Sequence, residues 1–219
     1  MKHLYIQAVD LPLAWYSVLE ALYEQGEEFV IERGSELTKT KKLSLTVQVE
    51  HPESRPLLHE KAPYSMDYVE EYAGNYLFLD TKPGDESYTY GERMRKPVDQ
   101  IQRVIDRYKE YKGDRQNTIV IRRPEDLNIN DPPCLTVLDT EISDNRLNWV
   151  VYFRSWDGYA GFPANLAGLQ ILIEYMANEI GVETGTLIAH SKNIHLYQRT
   201  WELVHDILYE KSGLKTVKK

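Results

Sequence analysis

Residues 147–180 read LNWVVYFRSWDGYAGFPANLAGLQILIEYMANEI. The stretch opens with an apolar run typical of a strand. Residues 165–180 then place apolar side chains at spacings of three and four, the pattern of a helix with a broad buried face. Between these two parts, polar side chains, glycines and a proline are concentrated where a simple core strand would need none. The stretch predicts a strand and a core helix joined by a segment that carries chemistry.

The residues around this stretch predict further elements. Residues 135–142 and 147–153 look like two strands joined across Ser-Asp-Asn-Arg, which predicts a β-hairpin. Residues 11–24 carry apolar side chains at helical spacing, and the run LSLTVQVE at 43–50 alternates as a half-buried strand does. The remaining predicted elements are helices at 65–79, 98–111 and 194–208 and short strands at 118–121 and 185–189.

These elements belong to one core. The chain contains no internal repeat and no low-complexity linker, so no domain boundary is justified. We expect a single α/β (α+β) domain over residues 1–219, in which a mixed sheet packs against the buried core helix at 165–180.

Composition excludes several classes of protein. Of the 219 residues 42% are hydrophobic, with 16 Tyr among them, which is too rich in core-forming side chains for a disordered chain. The formal net charge of -8 makes the surface as a whole poorly suited to a nucleic acid polymer or to anionic lipid. No run reaches the roughly 18 apolar residues of a membrane span, and the start lacks the continuous apolar region of a signal peptide. We expect a cytoplasmic protein that binds neither membranes nor polynucleotides.

The sequence does not predict a metal site. Its single cysteine, Cys134, allows neither an internal disulfide nor a CxxC zinc site. His190 and His195 lie five residues apart and do not match HExxH. We therefore predict that the protein holds no metal.

Three residues are candidates for chemistry. Cys134 follows two prolines that fix the backbone at the entry to a strand, a position that suits a nucleophile. Arg154 offers a planar fork of donors that can hold a phosphate and stabilise a nearby thiolate. Asn165, at a helix start, carries a donor and an acceptor that could read the edge of a base. The simpler alternatives are a buried structural cysteine, a surface ion pair and a helix N-cap.

Together these residues resemble the thymidylate synthase family. The family's pattern has a Pro-Cys nucleophile, an Arg-Ser-x-Asp-x-x-x-Gly-x-Pro-x-Asn run that begins twenty residues after the cysteine, and a His-x-Tyr further on. This sequence has Pro133-Cys134, the run from Arg154 to Asn165, and His195-Leu196-Tyr197. A looser match, Tyr90-Gly91-x-x-x-Arg95, lies upstream. The short length and compact N-terminal half resemble the archaeal type of the family.

The resemblance implies a thymidylate synthase-like fold and a set of roles around the nucleotide dUMP. Cys134 would add to C6 of the uracil ring, so that C5 attacks a methylene group borne by a folate. Arg154 and Ser155 would hold the phosphate, and Arg154 would also favour the thiolate of Cys134. Asn165 would read O4 and N3 of the base.

The remaining implied roles concern the sugar, the phosphate and the donor. His195 and Tyr197 would bind the deoxyribose hydroxyl, and Asp157 would orient the pterin of the folate. Arg33 lies roughly where the family has a phosphate-binding arginine in a mobile loop. The other catalytic positions that the resemblance implies are Asp67, counted back from Gly74, and Tyr90.

The sequence also departs from the family's pattern. The family is an obligate dimer in which an arginine pair reaches the partner's phosphate, but the matching stretch at 114–120 has only Arg115, with Arg122 and Arg123 downstream. We still expect a homodimer. Asp67 is one methylene shorter than the family's usual glutamate. The resemblance implies 5,10-methylene-tetrahydrofolate as the donor. Because the family's C-terminal closing segment has no counterpart in 208–219, a methanopterin-type analogue is the alternative that we expect.

Three functions remain open at this point. The first is methylation of dUMP to dTMP. The second has the same early steps but lets water capture the new one-carbon group, which would make the protein a dUMP or dCMP hydroxymethylase. The third is a nucleotide-binding protein that has lost catalysis and does not need Cys134. Because a neutral amide at Asn165 suits uracil and Cys134 is present, methylation of dUMP is the leading expectation.

Overall fold

The computed structural model of the chain describes residues 1–33, 36–84 and 86–209. The strands are β1 His3–Ala8, β2 Glu27–Arg33, β3 Glu36–Val49, β4 Thr118–Val120, β5 Leu135–Ser143, β6 Arg146–Phe153, β7 Trp156–Asp157 and β8 Glu183–Tyr197. The α-helices are α1 Leu11–Gln25, α2 Met66–Tyr72, α3 Tyr90–Arg95, α4 Gln100–Glu110, α5 Gly161–Ile180 and α6 Trp201–Tyr209. A π-helical segment, Ala73–Phe78, continues α2, and two short 3₁₀ helices occupy Pro124–Asn128 and Gln198–Thr200.

The described strands form one mixed sheet. Its order is β1-β3-β8-β6-β5-β4, with β2 beside β3 and β7 beside β8. The pairs β1/β3, β6/β8 and β7/β8 are parallel, and the other pairs are antiparallel. The mixed α/β fold class predicted from the sequence is confirmed.

The β5–β6 hairpin is also confirmed, and its turn has a clear chemical reason. Ser143 pairs with Arg146, so only two residues connect the strands. These are Asp144 and Asn145, with φ of 49° and 58°. Two-residue hairpin turns of this kind require positive φ at both positions, which Asp and Asn tolerate better than most residues. The hairpin fixes the register as far as the pair of Val137 with Tyr152, and a shift of one residue beyond it places Phe153 opposite Leu135.

Helix α5 is the buried helix that the apolar spacing predicts. It ends at Gly181, whose φ of 80° is left-handed and is therefore favourable for glycine. Five of its large apolar side chains are almost completely buried: Phe162, Leu166, Leu169, Ile173 and Met176. Burying each such side chain contributes about 1.5–3 kcal/mol, so this helix supplies a large share of the core.

The second half of the chain departs from prediction at β8. The predicted helix at 194–208 is wrong for its first residues, because residues 194–197 complete β8 and α6 begins only at Trp201. β8 lies between β3 and β6 and forms ladders on both sides, so tertiary pairing decides its conformation. Its buried Ile194 and Leu196 follow the period of a strand.

The sheet has one face packed by helices and another that remains accessible. On β6, Trp149 and Val151 are buried, whereas Val150 between them is 43% exposed. Val150 pairs with Ile188 of β8, which is 37% exposed, so apolar side chains lie side by side on the accessible face. In the described part of the chain, the helices are too short or too polar to cross a membrane.

Candidate active site

Cys134 lies at the entry to β5, where two neighbouring elements hold the backbone. Its carbonyl accepts a hydrogen bond from the backbone N–H of Arg154 at 2.9 Å. The next residue, Leu135, donates its N–H to the hydroxyl of Tyr90 at 3.3 Å. Burial, followed by the nearby Tyr72 and Cys134, raises the pKa of Tyr90, so this phenol stays protonated beside Cys134. The half-buried cysteine is thus fixed between β6 and α3.

The guanidinium of Arg154 is anchored to the prolines before Cys134. Its Nε donates to the carbonyl of Pro133 at 2.9 Å, and one terminal nitrogen donates to the carbonyl of Pro132. Because one guanidinium holds both carbonyls, Arg154 fixes the segment that leads into Cys134. Arg154 therefore supports the loop that carries Cys134 and also lines the same cavity.

The cavity beside Cys134 has a volume of about 430 Å³ and is called the Cys134 cavity below. Its lining includes six of the residues predicted for the site: Cys134, Arg154, Ser155, Asp157, His195 and Tyr197. The β2–β3 ribbon supplies part of the wall through Phe29, Ile31 and Thr40. The fold thus brings Cys134, the segment that begins at Arg154 and His195 together around one cavity.

His195 is held in a defined state within this cavity. Its Nδ1 lies 3.3 Å from the carbonyl of Asn193, which can only accept a hydrogen bond. Burial lowers the pKa of His195, so the ring is neutral near pH 7 and carries its proton on Nδ1. The Nε2 of His195 is then an acceptor for a hydrogen bond from a ligand hydroxyl. Tyr197 packs edge-on against this ring, with 4.8 Å between centroids.

Asn165 lines an adjoining cavity of about 260 Å³, called the Asn165 cavity below. Its Oδ1 accepts from the indole N–H of Trp156 at 3.0 Å, and its Nδ2 donates to the hydroxyl of Tyr72 at 2.8 Å. Tyr90 lines this cavity too, and Asp131 lines both cavities, so the two are neighbours. Asn165 lies within α5, and the N-cap of that helix is Ala160, so Asn165 is not the N-cap.

Asp157 and Asp67 have different surroundings. Asp157 lines the Cys134 cavity, and its Oδ1 accepts from the backbone N–H groups of Tyr159 and Ala160 at 2.9 and 3.2 Å. Asp67 is exposed in the first turn of α2 and is not among the described residues that line the Cys134 or Asn165 cavity. The structure does not bring Asp67 to the other predicted residues. The side chain of Arg33, at the end of β2, lies outside the described part of the chain.

The cavities also contain charged residues that the sequence reasoning missed. Lys42 lines the Cys134 cavity, with its Nζ 3.8 Å from the ring centroid of Phe29. Glu86 lines the Asn165 cavity and accepts from the hydroxyl of Tyr76 at 2.6 Å. Lys42 lies just before the strand predicted at 43–50, and it faces the cavity because β3 begins earlier, at Glu36. Glu86 lies outside the helices and strands, and the residues around it show no pattern that predicts a role in the site.

A third cavity of about 380 Å³ shares Tyr72 and Tyr76 with the Asn165 cavity. Tyr68 and Leu79 also line it, so its wall is largely aromatic and apolar. Among the described residues, no group of three His, Cys, Asp or Glu side chains is placed to hold a metal ion. The described site combines a thiol, cations, carboxylates, neutral hydrogen-bonding groups and aromatic rings.

Comparison with known proteins agrees with this arrangement. The family model described as thymidylate synthase matches residues 57–216, which includes both cavities except for the β2–β3 wall. A Methanosarcina acetivorans protein is 34% identical over 207 residues, covering 93% of this chain and 94% of its own length. Relatives from Methanothermobacter marburgensis and Methanocaldococcus jannaschii are each 28% identical, covering 93% and 88% of this chain and 97% and 90% of their own lengths. All three are named "Putative thymidylate synthase".

The family match covers more than half of the chain, and the first relative aligns over nearly its whole length. The chain belongs to the thymidylate synthase family.

Proposed function

We propose that the protein converts dUMP to dTMP through a covalent bond between Cys134 and the uracil ring. The observation that carries the proposal is one cavity lined by a thiol, a guanidinium and a neutral histidine: Cys134, Arg154 and His195. At about 430 Å³ the cavity is within the range usual for small-molecule sites. Polar groups at opposite ends of a nucleotide would fix its orientation.

The proposed binding mode assigns each part of dUMP to residues already near one another. Arg154 and Lys42, the two cationic side chains among the described residues that line the Cys134 cavity, would bind the phosphate together with the hydroxyl of Ser155. The acceptor Nε2 of His195 and the hydroxyl of Tyr197 would bind the deoxyribose hydroxyl. The base would extend toward the Asn165 cavity, where the amide meets its hydrogen-bonding edge.

The proposed reaction begins at the Cys134 sulfur. Attack of the thiolate on C6 breaks the C5–C6 double bond and moves the electron pair toward C5 and O4. C5 then forms a bond to the donor's methylene carbon while one carbon–nitrogen bond of the donor breaks and its electron pair goes to that nitrogen. The C5 proton passes to water, the second carbon–nitrogen bond breaks to leave an exocyclic methylene, and arrival of a hydride at that carbon expels the Cys134 thiolate and restores the C5–C6 double bond. The donor supplies that carbon and, for methylation, the hydride that converts it to a methyl group. Hydrogen bonding of Asn165 to O4 stabilises the charge that develops there.

The donor would be 5,10-methylene-tetrahydrofolate or a methanopterin-type analogue. The aromatic cavity that shares Tyr72 and Tyr76 with the Asn165 cavity suits a planar ring, since aromatic walls favour stacking. Asp157 keeps one carboxylate oxygen beyond its turn hydrogen bonds that could accept from a pterin N–H. Both features fit a pterin-type donor next to the base.

The mass of the nucleotide product tests the proposal. The purified protein is incubated with dUMP and each donor in separate reactions. We expect a product heavier than dUMP by one CH₂ unit with at least one donor. A gain of one CH₂O unit would instead identify hydroxymethylation, in which water captures the one-carbon group. Unchanged dUMP with both donors, from protein that binds dUMP, would indicate a family member that has lost catalysis.

Changing Arg154 to lysine should weaken dUMP binding and shift the alkylation of Cys134 to higher pH. An ammonium cannot hydrogen-bond to both proline carbonyls and a phosphate as the guanidinium fork can. The rate of alkylation of the single thiol is measured against pH in both proteins. Arg146→Lys is the matched control, because the guanidinium of Arg146 also donates to a backbone carbonyl, that of Thr184, but lies at the other end of β6. Identical profiles for the native protein and Arg154→Lys would remove Arg154 from thiol activation.

We also propose that two copies of the chain associate through the accessible face of the sheet. Val150 and Ile188 are paired neighbours on that face, and Tyr5 on β1 is 58% exposed there. Apolar side chains grouped on a sheet face are typical of a surface that another chain covers. The resemblance to the family implies a homodimer.

Changing Ile188 to glutamate should therefore weaken self-association by about tenfold or more, because a carboxylate would be buried without a partner. Sedimentation velocity over a range of concentrations measures the equilibrium. Leu203→Glu is the matched control, since Leu203 is 50% exposed on α6 away from that face. The proposal fails if the native protein is a monomer throughout or if both variants behave alike.

A further inference from the structure

Trp156 holds the amide of Asn165 in one orientation. The indole is only 3% exposed, and it stacks on Phe153 with 4.0 Å between ring centroids and 4° between planes. On its other side it contacts Phe162, with 4.5 Å between centroids. Because the ring is fixed by this packing, its N–H points at Asn165 Oδ1 from a defined position, 3.0 Å away. An indole nitrogen can donate a hydrogen bond but cannot accept one.

The second partner of the amide is more permissive. The hydroxyl of Tyr72 accepts from Asn165 Nδ2 at 2.8 Å, but a hydroxyl can also donate. Burial raises the pKa of Tyr72, so the proton that allows this exchange of roles is retained. Tyr72 would therefore satisfy either orientation of the amide. Trp156 would satisfy only the orientation with oxygen facing the indole.

Counting hydrogen-bonding positions shows what the amide can still offer a ligand. An asparagine amide has two N–H donors and two acceptor lone pairs. Tyr72 takes one donor and Trp156 takes one lone pair, which leaves one of each. Uracil presents an acceptor at O4 and a donor at N3, so it matches the remaining pair. Cytosine presents a donor at its amino group and an acceptor at N3, so it would require the amide to rotate by half a turn.

Rotation of the amide would place the NH₂ of Asn165 against the N–H of Trp156, so two donors would face each other in a buried site. We propose that Trp156 is a positioning residue that selects uracil over cytosine by preventing this rotation. The inference rests on the proposed function, because it concerns the base that Asn165 reads. It adds a determinant of specificity that makes no contact with the base itself.

The test compares the affinities of dUMP and dCMP in the native protein and in Trp156→Phe. Phenylalanine keeps an aromatic ring on Phe153 but removes the N–H, so the amide can rotate. We expect the ratio of dCMP to dUMP dissociation constants, measured by calorimetry, to fall by about tenfold or more. Tyr72→Phe is the matched control, because it removes the partner of the same amide that accepts either orientation. That variant should weaken the binding of both nucleotides. The ratio of the dCMP to the dUMP dissociation constant should stay within about threefold of the native value.

A second variant protects the test against loss of folding. Replacing Trp156 with 3-benzothienylalanine substitutes sulfur for the N–H while keeping the shape of the ring, and thermal unfolding confirms that the fold is retained. The same fall in the ratio is expected. If the native protein prefers dUMP and neither Trp156 variant changes the ratio, the inference is overturned while the proposed function stands. If the native protein binds neither nucleotide, the proposed function and the inference both fail.

Discussion

Changing Cys134 to serine is expected to reduce turnover of dUMP by about three orders of magnitude or more. A hydroxyl is a far weaker nucleophile than a thiolate near neutral pH, and no other thiol exists in the chain to replace it. Binding of dUMP should stay within about tenfold, since the phosphate and base contacts remain. Single-turnover kinetics and calorimetry measure the two quantities separately.

The serine variant also separates catalysis from folding. Cys134 is half-buried, so the change from sulfur to oxygen removes little core volume, and the temperature of unfolding should be nearly unchanged. Two results would contradict the role of Cys134. One is turnover close to that of the native protein. The other is a loss of dUMP binding as large as the loss of rate, which would make the thiol a binding group only.

Changing Asn165 to aspartate should shift the preference from dUMP toward dCMP by one or more orders of magnitude. A carboxylate replaces the donor that O4 of uracil needs, at about 1–3 kcal/mol for each mismatched buried hydrogen bond. It accepts from the amino group of cytosine instead, and in its protonated form it donates to N3. The indole N–H of Trp156 can still donate to the new carboxylate, so the site tolerates the change. The ratio of kcat/KM for the two nucleotides measures the shift.

Asn193→Asp provides the matched control for this prediction. Asn193 lines the Cys134 cavity, so the same change adds the same charge to the nucleotide site without touching the amide of Asn165. Both nucleotides should bind more weakly, because the added carboxylate repels their phosphates. The ratio of kcat/KM for dUMP and dCMP should stay constant. An unchanged ratio in Asn165→Asp as well would mean that Asn165 serves only the structure of α5.

Most of the fold that positions the site was predictable because its pattern is local. The apolar spacing of α5 and the Asp144-Asn145 turn are signals carried by adjacent residues. The extents of β3 and β8 were not predictable, since each strand pairs with partners distant in sequence. Lys41 and Lys42 read as a polar segment, yet they form ladder pairs with Leu196 and His195. An alternation of apolar and polar residues cannot reveal this part of β3, because polar side chains occupy both faces: Lys42 faces the Cys134 cavity and Lys41 donates to the carbonyl of Tyr23.

In the candidate site too, residues in local motifs were predictable and residues that act through distant contacts were not. The motif residues from Cys134 to Tyr197 were found because their types and spacings match a family, and the fold gathers six of them around one cavity. Trp156 and Tyr72 carried no signal of their own, since their importance lies in contacts with Asn165 across the fold. Asp67 had been placed by counting back from Gly74. Counting in sequence carries no information about which face of α2 is exposed, and Asp67 lies on the accessible side.

The most direct test of covalent catalysis by Cys134 uses dUMP that carries deuterium at C5. The native protein and Cys134→Ser are each incubated with this nucleotide and the methylene donor, and the products are weighed by mass spectrometry. We expect the native protein to form a nucleotide that has gained the one-carbon group and lost the deuterium, because C5 gives up its hydrogen after addition at C6. The serine variant should return the nucleotide unchanged. Equal product from both proteins, or deuterium retained in the native product, would contradict the proposed role of Cys134.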